Sequence, residues 1–199
     1  HYNPRPSLCE RPTEQVHLIL GFKGVARKNP HYPAIRLLSA LLGGGASSRL
    51  YQEVREKRGL VYSIQSFQDS FHDDGLFGIY AGTGPDLLPQ MMPVILDELK
   101  SVMDNVTTTE LTRAKTQIKA GVLMAREKMM TRADQQARHV INFGKPFSVE
   151  EMVAKIDAVT PEDVSLLAQD VFTSQPTLAG IGPLKNLICY DDLCKKLAA

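Results

Sequence analysis

Hydrophobic residues first recur at every second position near the N-terminus of the chain. From Val16 to Phe22 these positions are all apolar, and a two-residue period is typical of a strand with one buried face. Residues 34–42 then carry leucines at helical spacing, and the glycines at 43–45 follow them. The pattern therefore predicts a strand over 15–23 and a helix over 34–42 that ends at the glycine run.

The rest of the chain predicts three more strands and several helices. Strand patterns cover residues 60–68, 76–83 and 177–181, and Asp74-Gly75 before the second of these is typical of a hairpin. An apolar stripe predicts a helix over 87–103. Another predicted helix runs from Ser47 or Ser48 to about Lys57. A long helical run begins at the capping box at Thr107 and continues to Phe143, with a break near Met130-Thr131. Two further helices begin at the cap residues Ser148 and Thr160, and the last covers 191–197. The stripe of the helix that begins at Thr107 extends to Met129.

The order of these elements predicts the fold class. Two neighbouring strands joined by a hairpin exclude a purely parallel, doubly wound sheet. We therefore expect an α+β fold of two layers, with helices packed on a mostly antiparallel sheet. Residues 1–14 are interpreted as a linker or the start of an expressed fragment, and 15–199 as a single domain. Because the chain begins at His1 without an apolar segment, any targeting signal lies outside this sequence.

Composition narrows the classes of function. The 199 residues carry a formal net charge of +1, with 43% hydrophobic and 23% charged residues, which is typical of a soluble globular domain. This balance argues against nucleic acid or an anionic membrane as the main partner. No apolar run approaches the roughly 20 residues that span a bilayer. The three cysteines form no Cys-x-x-Cys pair, which mildly favours a reducing, cytoplasmic compartment and leaves the periplasm and mitochondrion open.

The histidines and the glycine run carry no strong motif. No two of the five histidines lie three or four residues apart, so H-E-x-x-H and H-x-x-E-H are absent, and any metal site would need ligands from distant positions in the sequence. His17, His72 and His139 are interpreted as solvated. The glycines at 43–45 lack the spacing of a phosphate loop, which favours a helix end followed by a new N-cap over nucleotide binding.

Residues 47–63 form the segment whose side chains are best suited to binding or catalysis. Arg55 points away from the Glu53–Lys57 pair on the predicted helix, and Gly59 then turns the chain towards Tyr62 at the start of a strand. Arginine and tyrosine both donate hydrogen bonds at neutral pH, which suits a peptide carbonyl or the oxyanion formed when that carbonyl is attacked. An ordinary charged helix end beside a packing tyrosine is the alternative.

Residues 42–64 closely resemble the C-terminal half of the pitrilysin, insulysin and mitochondrial processing peptidase family, and Asp74-Gly75-Leu76-Phe77 adds secondary support. The order of elements resembles the duplicated domain of this family over nearly the whole chain. These zinc peptidases use the motif H-x-x-E-H and build a chamber from two homologous halves, fused or separate. Because that motif is missing, the resemblance implies the non-zinc half, which alone holds no zinc and cleaves nothing.

The resemblance also implies roles for two residues. The non-zinc half contributes an arginine and a tyrosine seven residues apart, and Arg55 and Tyr62 match them. Arg55 would bind a substrate backbone carbonyl, and Tyr62 would act catalytically by donating to the scissile carbonyl or the oxyanion. The implied partners are a homologous zinc-bearing domain or subunit and an extended peptide, and a dimer is compatible with them. The short glycine run favours a bacterial processing-peptidase-like protein. The alternative function is an inert structural homologue of the same fold.

Overall fold

A mixed sheet of five strands forms one layer of the structure, a computed structural model that describes residues 2–198. The strands are β1 (Pro6–Glu10), β2 (Val16–Lys23), β3 (Ser63–Ser70), β4 (Gly75–Thr83) and β5 (Thr177–Gly182). Their order across the sheet is β1-β5-β2-β4-β3. β2 runs antiparallel to β4 and β5, β3 runs antiparallel to β4, and β1 runs parallel to β5. The prediction of a mostly antiparallel sheet is confirmed.

Helices form the second layer. Within residues 2–198 the α-helices are α1 (Tyr32–Gly43), α2 (Leu88–Asp104), α3 (Thr108–Met124), α4 (Met129–Phe143), α5 (Val149–Asp157), α6 (Pro161–Phe172) and α7 (Tyr190–Ala198). A π-helical segment spans Tyr51–Glu56, and a short 3₁₀ turn spans Pro85–Leu87. β2 buries its even-numbered apolar residues under the helices and exposes His17, as its period predicts. Phe172 of α6 meets Phe22 and Phe77 edge-to-face, at centroid distances of 5.1 and 5.4 Å.

Side-chain caps fix where three of these helices begin. The hydroxyls of Thr107, Ser148 and Thr160 accept hydrogen bonds from the backbone N–H groups three residues later, and a carboxylate at that position accepts from the cap residue's own N–H. Each box satisfies two backbone donors that a helix start otherwise leaves open. The capping signals read from the sequence are confirmed at all three positions.

Three local features differ from the sequence-based expectation. β1 lies within the residues 1–14 that were assigned to a linker; it is exposed on both faces and so carries no hydrophobic alternation. The domain boundary stays a prediction. The break in the long helical run falls at residues 125–128, a few residues before Met130-Thr131. Met129 consequently begins α4 and is 84% exposed, so its placement in the apolar stripe was wrong.

His139 was also interpreted wrongly as solvated. Its side chain is 6% exposed and lies 5.2 Å from the Phe147 ring, and Nδ1 accepts a hydrogen bond from the Phe147 N–H. Burial lowers the pKa of His139, and the positive charges of Arg27 and Lys155 lower it further. The charged residues of α4 gave no indication of this burial, because Phe147, which covers His139, lies beyond the helix.

Candidate functional site

The π-helical segment presents Arg55 to solvent. Leu50 and Val54 are fully buried, as predicted, so the next residue points outwards. The Lys57 N–H donates to the Gln52 carbonyl five residues earlier, which widens the last turn. Such π-helical turns are frequent at functional sites.

A serine cap for this helix was predicted wrongly. The Ser48 hydroxyl donates to the Gly45 carbonyl at 2.6 Å, and no side chain caps the π-helical segment. The serine therefore holds the loop that leaves α1, and does not satisfy a donor of the following helix.

Backbone hydrogen bonds fix the path from this segment to Tyr62. Gly59 adopts a φ of +62°, a left-handed conformation that favours glycine. The Leu60 N–H then donates to the Val54 carbonyl at 2.9 Å, and the buried Thr83 hydroxyl donates to the Leu60 carbonyl at 2.6 Å. The Tyr62 N–H donates to Gly82 at 2.8 Å. Tyr62 therefore stands directly before β3, anchored to the end of β4.

The cations around Arg55 are neutralised within the chain. Glu53 accepts hydrogen bonds from both Lys57 and Arg58, the latter at 2.7 Å, and these bonds lower its pKa. Arg49 forms an ion pair with Glu110 at 2.8 Å. The carboxylates of Glu53 and Glu110 are therefore already engaged.

Arg55 differs from these neighbours. In the part of the chain that the structure describes, it forms no ion pair and its guanidinium makes no hydrogen bond. Its guanidinium carbon lies 5.0 Å from the centre of the Tyr51 ring, a cation–π arrangement that limits its motion. Tyr51 was not singled out from the sequence, although its spacing four residues before Arg55 on a helix is a usable signal.

Tyr62 is 58% exposed, and across residues 2–198 its hydroxyl has no hydrogen-bond partner. No hydrogen bond joins Arg55 to Tyr62. The structure thus places both predicted site residues on one short connection, with their donor groups open to a ligand.

Arg49 fastens this connection to two other helices. Its Nε and Nη2 donate to the two Glu110 oxygens at 2.8 and 3.0 Å, and Nη1 donates to Ser101 of α2 at 3.2 Å. Nη2 also donates to the Asn105 carbonyl. Burial would raise the pKa of Glu110, but the hydrogen bonds from Arg49 and Thr107 outweigh it and hold the pKa at about 2. Sequence reasoning missed this pair because its members lie 61 residues apart.

Glu110→Gln is expected to destabilise the protein in a pH-dependent way. Glutamine keeps the capping box but leaves the guanidinium of Arg49 without its counter-charge. The folded pKa of about 2 lies below the ordinary 4.5, so the carboxylate stabilises the fold above pH 4.5 and loses this effect as the pH falls towards 2. After allowance for solvent screening, we expect a loss of about 2 kcal/mol at pH 7 that vanishes near pH 2.

Urea unfolding at pH 7, 5, 4 and 3 measures this difference. Glu127→Gln, at an exposed position between α3 and α4, is the matched control and should change the free energy of unfolding by less than about 0.5 kcal/mol. A difference between the wild type and Glu110→Gln that stays constant over this pH range would contradict the assignment.

The glycine run serves packing. A Cβ on Gly44 would lie 2.6 Å from the Cα of Ala40, and the Gly44 carbonyl accepts a hydrogen bond from Gln117 of α3 at 2.6 Å. The glycines therefore end α1 and bring the loop against α3, which confirms the helix end predicted there.

The described residues do not fit a zinc ion. Between residues 2 and 198, no three His, Cys, Asp or Glu side chains are placed to share a metal. His17 Nδ1 lies 2.8 Å from the Tyr80 hydroxyl, and His72 Nε2 lies 3.2 Å from Lys28 Nζ.

No helix within residues 2–198 is both long and apolar enough to cross a bilayer.

Solved structures share this fold. A chain of the Candida albicans complex III2 structure with Inz-5 bound superposes with a TM-score of 0.89, covering 99% of this chain and 50% of that one at 20% identity. A protease from Helicobacter pylori gives a TM-score of 0.82 at 23% identity, covering 90% of this chain and 44% of that protein. These likenesses confirm the α+β fold of helices on a mostly antiparallel sheet.

Sequence relatives are more specific. An uncharacterized zinc protease of Streptomyces coelicolor is 42% identical over 183 residues, which are 92% of this chain and 40% of that protein. An uncharacterized zinc protease of Bacillus subtilis is 35% identical over 179 residues, or 89% of this chain and 44% of the relative. The chain thus spans about two fifths of the length of these relatives. The family described as Peptidase M16 inactive domain matches residues 1–118. The chain belongs to the M16 peptidase family, as its inactive domain.

Proposed function

We propose that this chain is the substrate-binding half of a two-half zinc metalloendopeptidase. The observation that supports this function is that the Arg55 and Tyr62 side chains are exposed and, within residues 2–198, have no hydrogen-bond partner, on one connection held by backbone hydrogen bonds. Within the described residues, the other cations between 49 and 58 are paired with carboxylates, whereas Arg55 is left free for a ligand.

The two side chains supply complementary hydrogen bonds to an extended peptide. The Arg55 guanidinium donates to a backbone carbonyl of the substrate and fixes its register. The Tyr62 hydroxyl donates to the carbonyl of the scissile bond, and this bond strengthens as negative charge develops on that oxygen during attack. The hydroxyl keeps its own proton, so Tyr62 acts as a hydrogen-bond donor and not as an acid.

The zinc ion and the attacking water belong to the other half in this proposal. The relatives are named zinc proteases, and more than half of their length lies outside the region that matches this chain. A homologous zinc-bearing half, fused or separate, would supply the metal site that the described residues here do not form. The competing function is that of an inert structural homologue. The likeness to a complex III2 chain is at 20% identity and therefore supports only the shared fold.

Arg55→Met is expected to weaken substrate binding. Methionine keeps much of the side-chain stem and removes the charged donor. Loss of a hydrogen bond from a charged group costs about 1.5–3 kcal/mol, or roughly 10- to 100-fold in kcat/KM. Because the bond to a non-reacting carbonyl is present in both the ground and transition states, the loss should appear mainly as a higher KM.

Cleavage of a quenched fluorescent peptide by the intact enzyme, with its zinc-bearing half, measures this effect. Arg113→Met, an exposed arginine on α3, is the matched control and should leave kcat/KM unchanged. A decrease of less than about threefold for Arg55→Met would sink the substrate-binding role. Absence of zinc-dependent cleavage by an intact wild-type assembly would favour the inert scaffold.

A further inference from the structure

A cavity of about 720 Å³ opens between the start of α1 and helices α4 and α5. Its volume is in the range of pockets that hold small organic molecules. Gln68, near the end of β3, lines it, whereas Tyr62 precedes the start of β3. Six residues of extended chain separate these positions by about 20 Å. The cavity therefore lies well away from Arg55 and Tyr62.

Positive charge dominates the cavity wall. Arg27, Lys28, Arg36 and Lys155 line it, and none of them forms an ion pair with a carboxylate in residues 2–198. The lining carboxylate among the described residues is Asp163. It already accepts the Thr160 N–H of its own capping box at 2.8 Å.

Two of these cations lie against the same aromatic ring. The guanidinium carbons of Arg27 and Arg36 lie 4.6 and 5.8 Å from the centre of the same Tyr32 ring. Both side chains are half-buried, so part of the hydration of their charges is lost. An anion bound to them would offset this cost.

The start of α1 adds to this positive field. α1 is twelve residues long, no side chain caps its N-terminus, and no acidic residue lies in its first turn. The N-terminal end of the helix dipole therefore adds positive potential to the cavity, and Asp163, whose charge interacts with His31 at this end, is the lining carboxylate that partly offsets it. The lowered pKa of buried His139, which lines the cavity from α4, agrees with this field, because Arg27 and Lys155 contribute to the lowering after burial.

The opposite wall is apolar and aromatic. The Phe143 and Phe147 rings contact each other at an interplanar angle of 57° with their centroids 4.9 Å apart, and the Lys155 ammonium lies 3.9 Å from the centre of the Phe147 ring. Met152 and Val159 continue this wall. A ligand that fills the cavity therefore meets Arg27 and Arg36 at the start of α1, and the aromatic rings with the Lys155 ammonium at α4 and α5.

We propose that this cavity binds a small organic anion, a carboxylate or phosphate carried on an apolar body. The anionic group lies between Arg27, Arg36 and the start of α1, where charge-assisted hydrogen bonds are strongest. The apolar body lies against Phe143 and Phe147. This inference is independent of the proposed peptidase function, because it uses neither Arg55 nor Tyr62.

Calorimetric titration of the intact protein, zinc-bearing half included, tests the site with three probes. Decanoate carries both the charge and the apolar body, 1-decanol carries only the body, and inorganic phosphate carries only the charge. We expect decanoate to bind at least about tenfold more tightly than either single-feature probe. The NMR resonances of the His139 ring should move on addition of decanoate.

Variants assign the binding to this cavity. Arg36→Met should weaken decanoate binding about tenfold and Lys155→Met about threefold or more, with 1-decanol unaffected. Lys195→Met, at an exposed position on α7, is the matched control and should bind decanoate like the wild type. Thermal melting of each variant shows that it is folded.

Several outcomes would overturn the proposal. Equal affinity for decanoate and 1-decanol would show that the site does not require an anionic group. Equal affinity for decanoate and inorganic phosphate would show that it does not require an apolar body. Cavity variants that behave like Lys195→Met would place the binding elsewhere. An acidic, phenylalanine-containing peptide that displaces decanoate at far lower concentrations would replace the small anion by a peptide ligand.

Discussion

Tyr62→Phe should lower the kcat of the assembled peptidase about 100-fold, the typical effect of removing one oxyanion donor. The substitution deletes a single hydroxyl and keeps the ring. Under the proposed function, that hydroxyl donates more strongly to the transition state than to the bound substrate. The loss should therefore appear in kcat and kcat/KM alike, with KM little changed.

The stability of this variant should stay close to that of the wild type. Tyr62 is 58% exposed, and within residues 2–198 its hydroxyl has no partner to lose. The backbone bond from the Tyr62 N–H to Gly82, which fixes its position, does not depend on the side chain. A change of less than about 0.5 kcal/mol in the free energy of unfolding is expected. Activity and stability thus separate cleanly at this residue.

Tyr190→Phe is the matched control for the same chemical change. Its hydroxyl donates to the Pro176 carbonyl at 2.6 Å, so the variant should lose about 1 kcal/mol of stability while keeping its kcat. Steady-state cleavage of the quenched peptide measures both variants. If the kcat of Tyr62→Phe falls less than threefold, Tyr62 lines the chamber without contacting the reacting carbonyl.

The features that were predicted correctly from the sequence are those that local patterns determine. The strand from Val16, the capping boxes at Thr107 and Ser148, and the buried inner face of the segment that carries Arg55 are all set by residues within a few positions of each other. The outward direction of Arg55 on its helix also followed from such a local pattern. The alternative of a packing tyrosine at position 62 was wrong, because Tyr62 is 58% exposed. The roles of Arg55 and Tyr62 came from the resemblance and stay predictions.

Features that depend on distant residues could not be predicted in the same way. Glu110 was recognised as a helix cap, but its partner Arg49 lies on another element. β1 exposes both faces and gains its structure only from pairing with β5, at the far end of the chain. His139 is buried by residues beyond its own helix. A period along one element contains no information about such contacts.

The glycine run combines both cases. The sequence predicts that α1 ends there, but not that Gly43 is the point where α1 meets β3. A Cβ on Gly43 would lie 2.2 Å from the Ser66 backbone nitrogen and 2.9 Å from the Gln65 carbonyl carbon. The Ser66 hydroxyl also donates to the Ser39 carbonyl at 2.7 Å, which ties the same helix to the same strand.

Gly43→Ala is therefore expected to destabilise the protein severely. The clash is with backbone, so no side-chain rotation relieves it, and α1 must move away from β3. Overpacking at buried positions typically costs 1–3 kcal/mol, and we expect at least about 3 kcal/mol here because a strand backbone has to give way. For a chain of this size such a loss lowers Tm by roughly 10 °C.

Gly121→Ala provides the matched control, since it makes the same change inside α3. A Cβ on Gly121 meets nothing within 4 Å, so only the helix propensity changes. That variant should gain about 0.5–1 kcal/mol, because alanine has less backbone freedom to lose on folding. Urea unfolding of the two variants should thus give shifts of opposite sign. Two shifts of the same sign would mean that α1 does not approach β3 as closely as described. The path of the chain from the end of α1 to Arg55 would then be wrong as well.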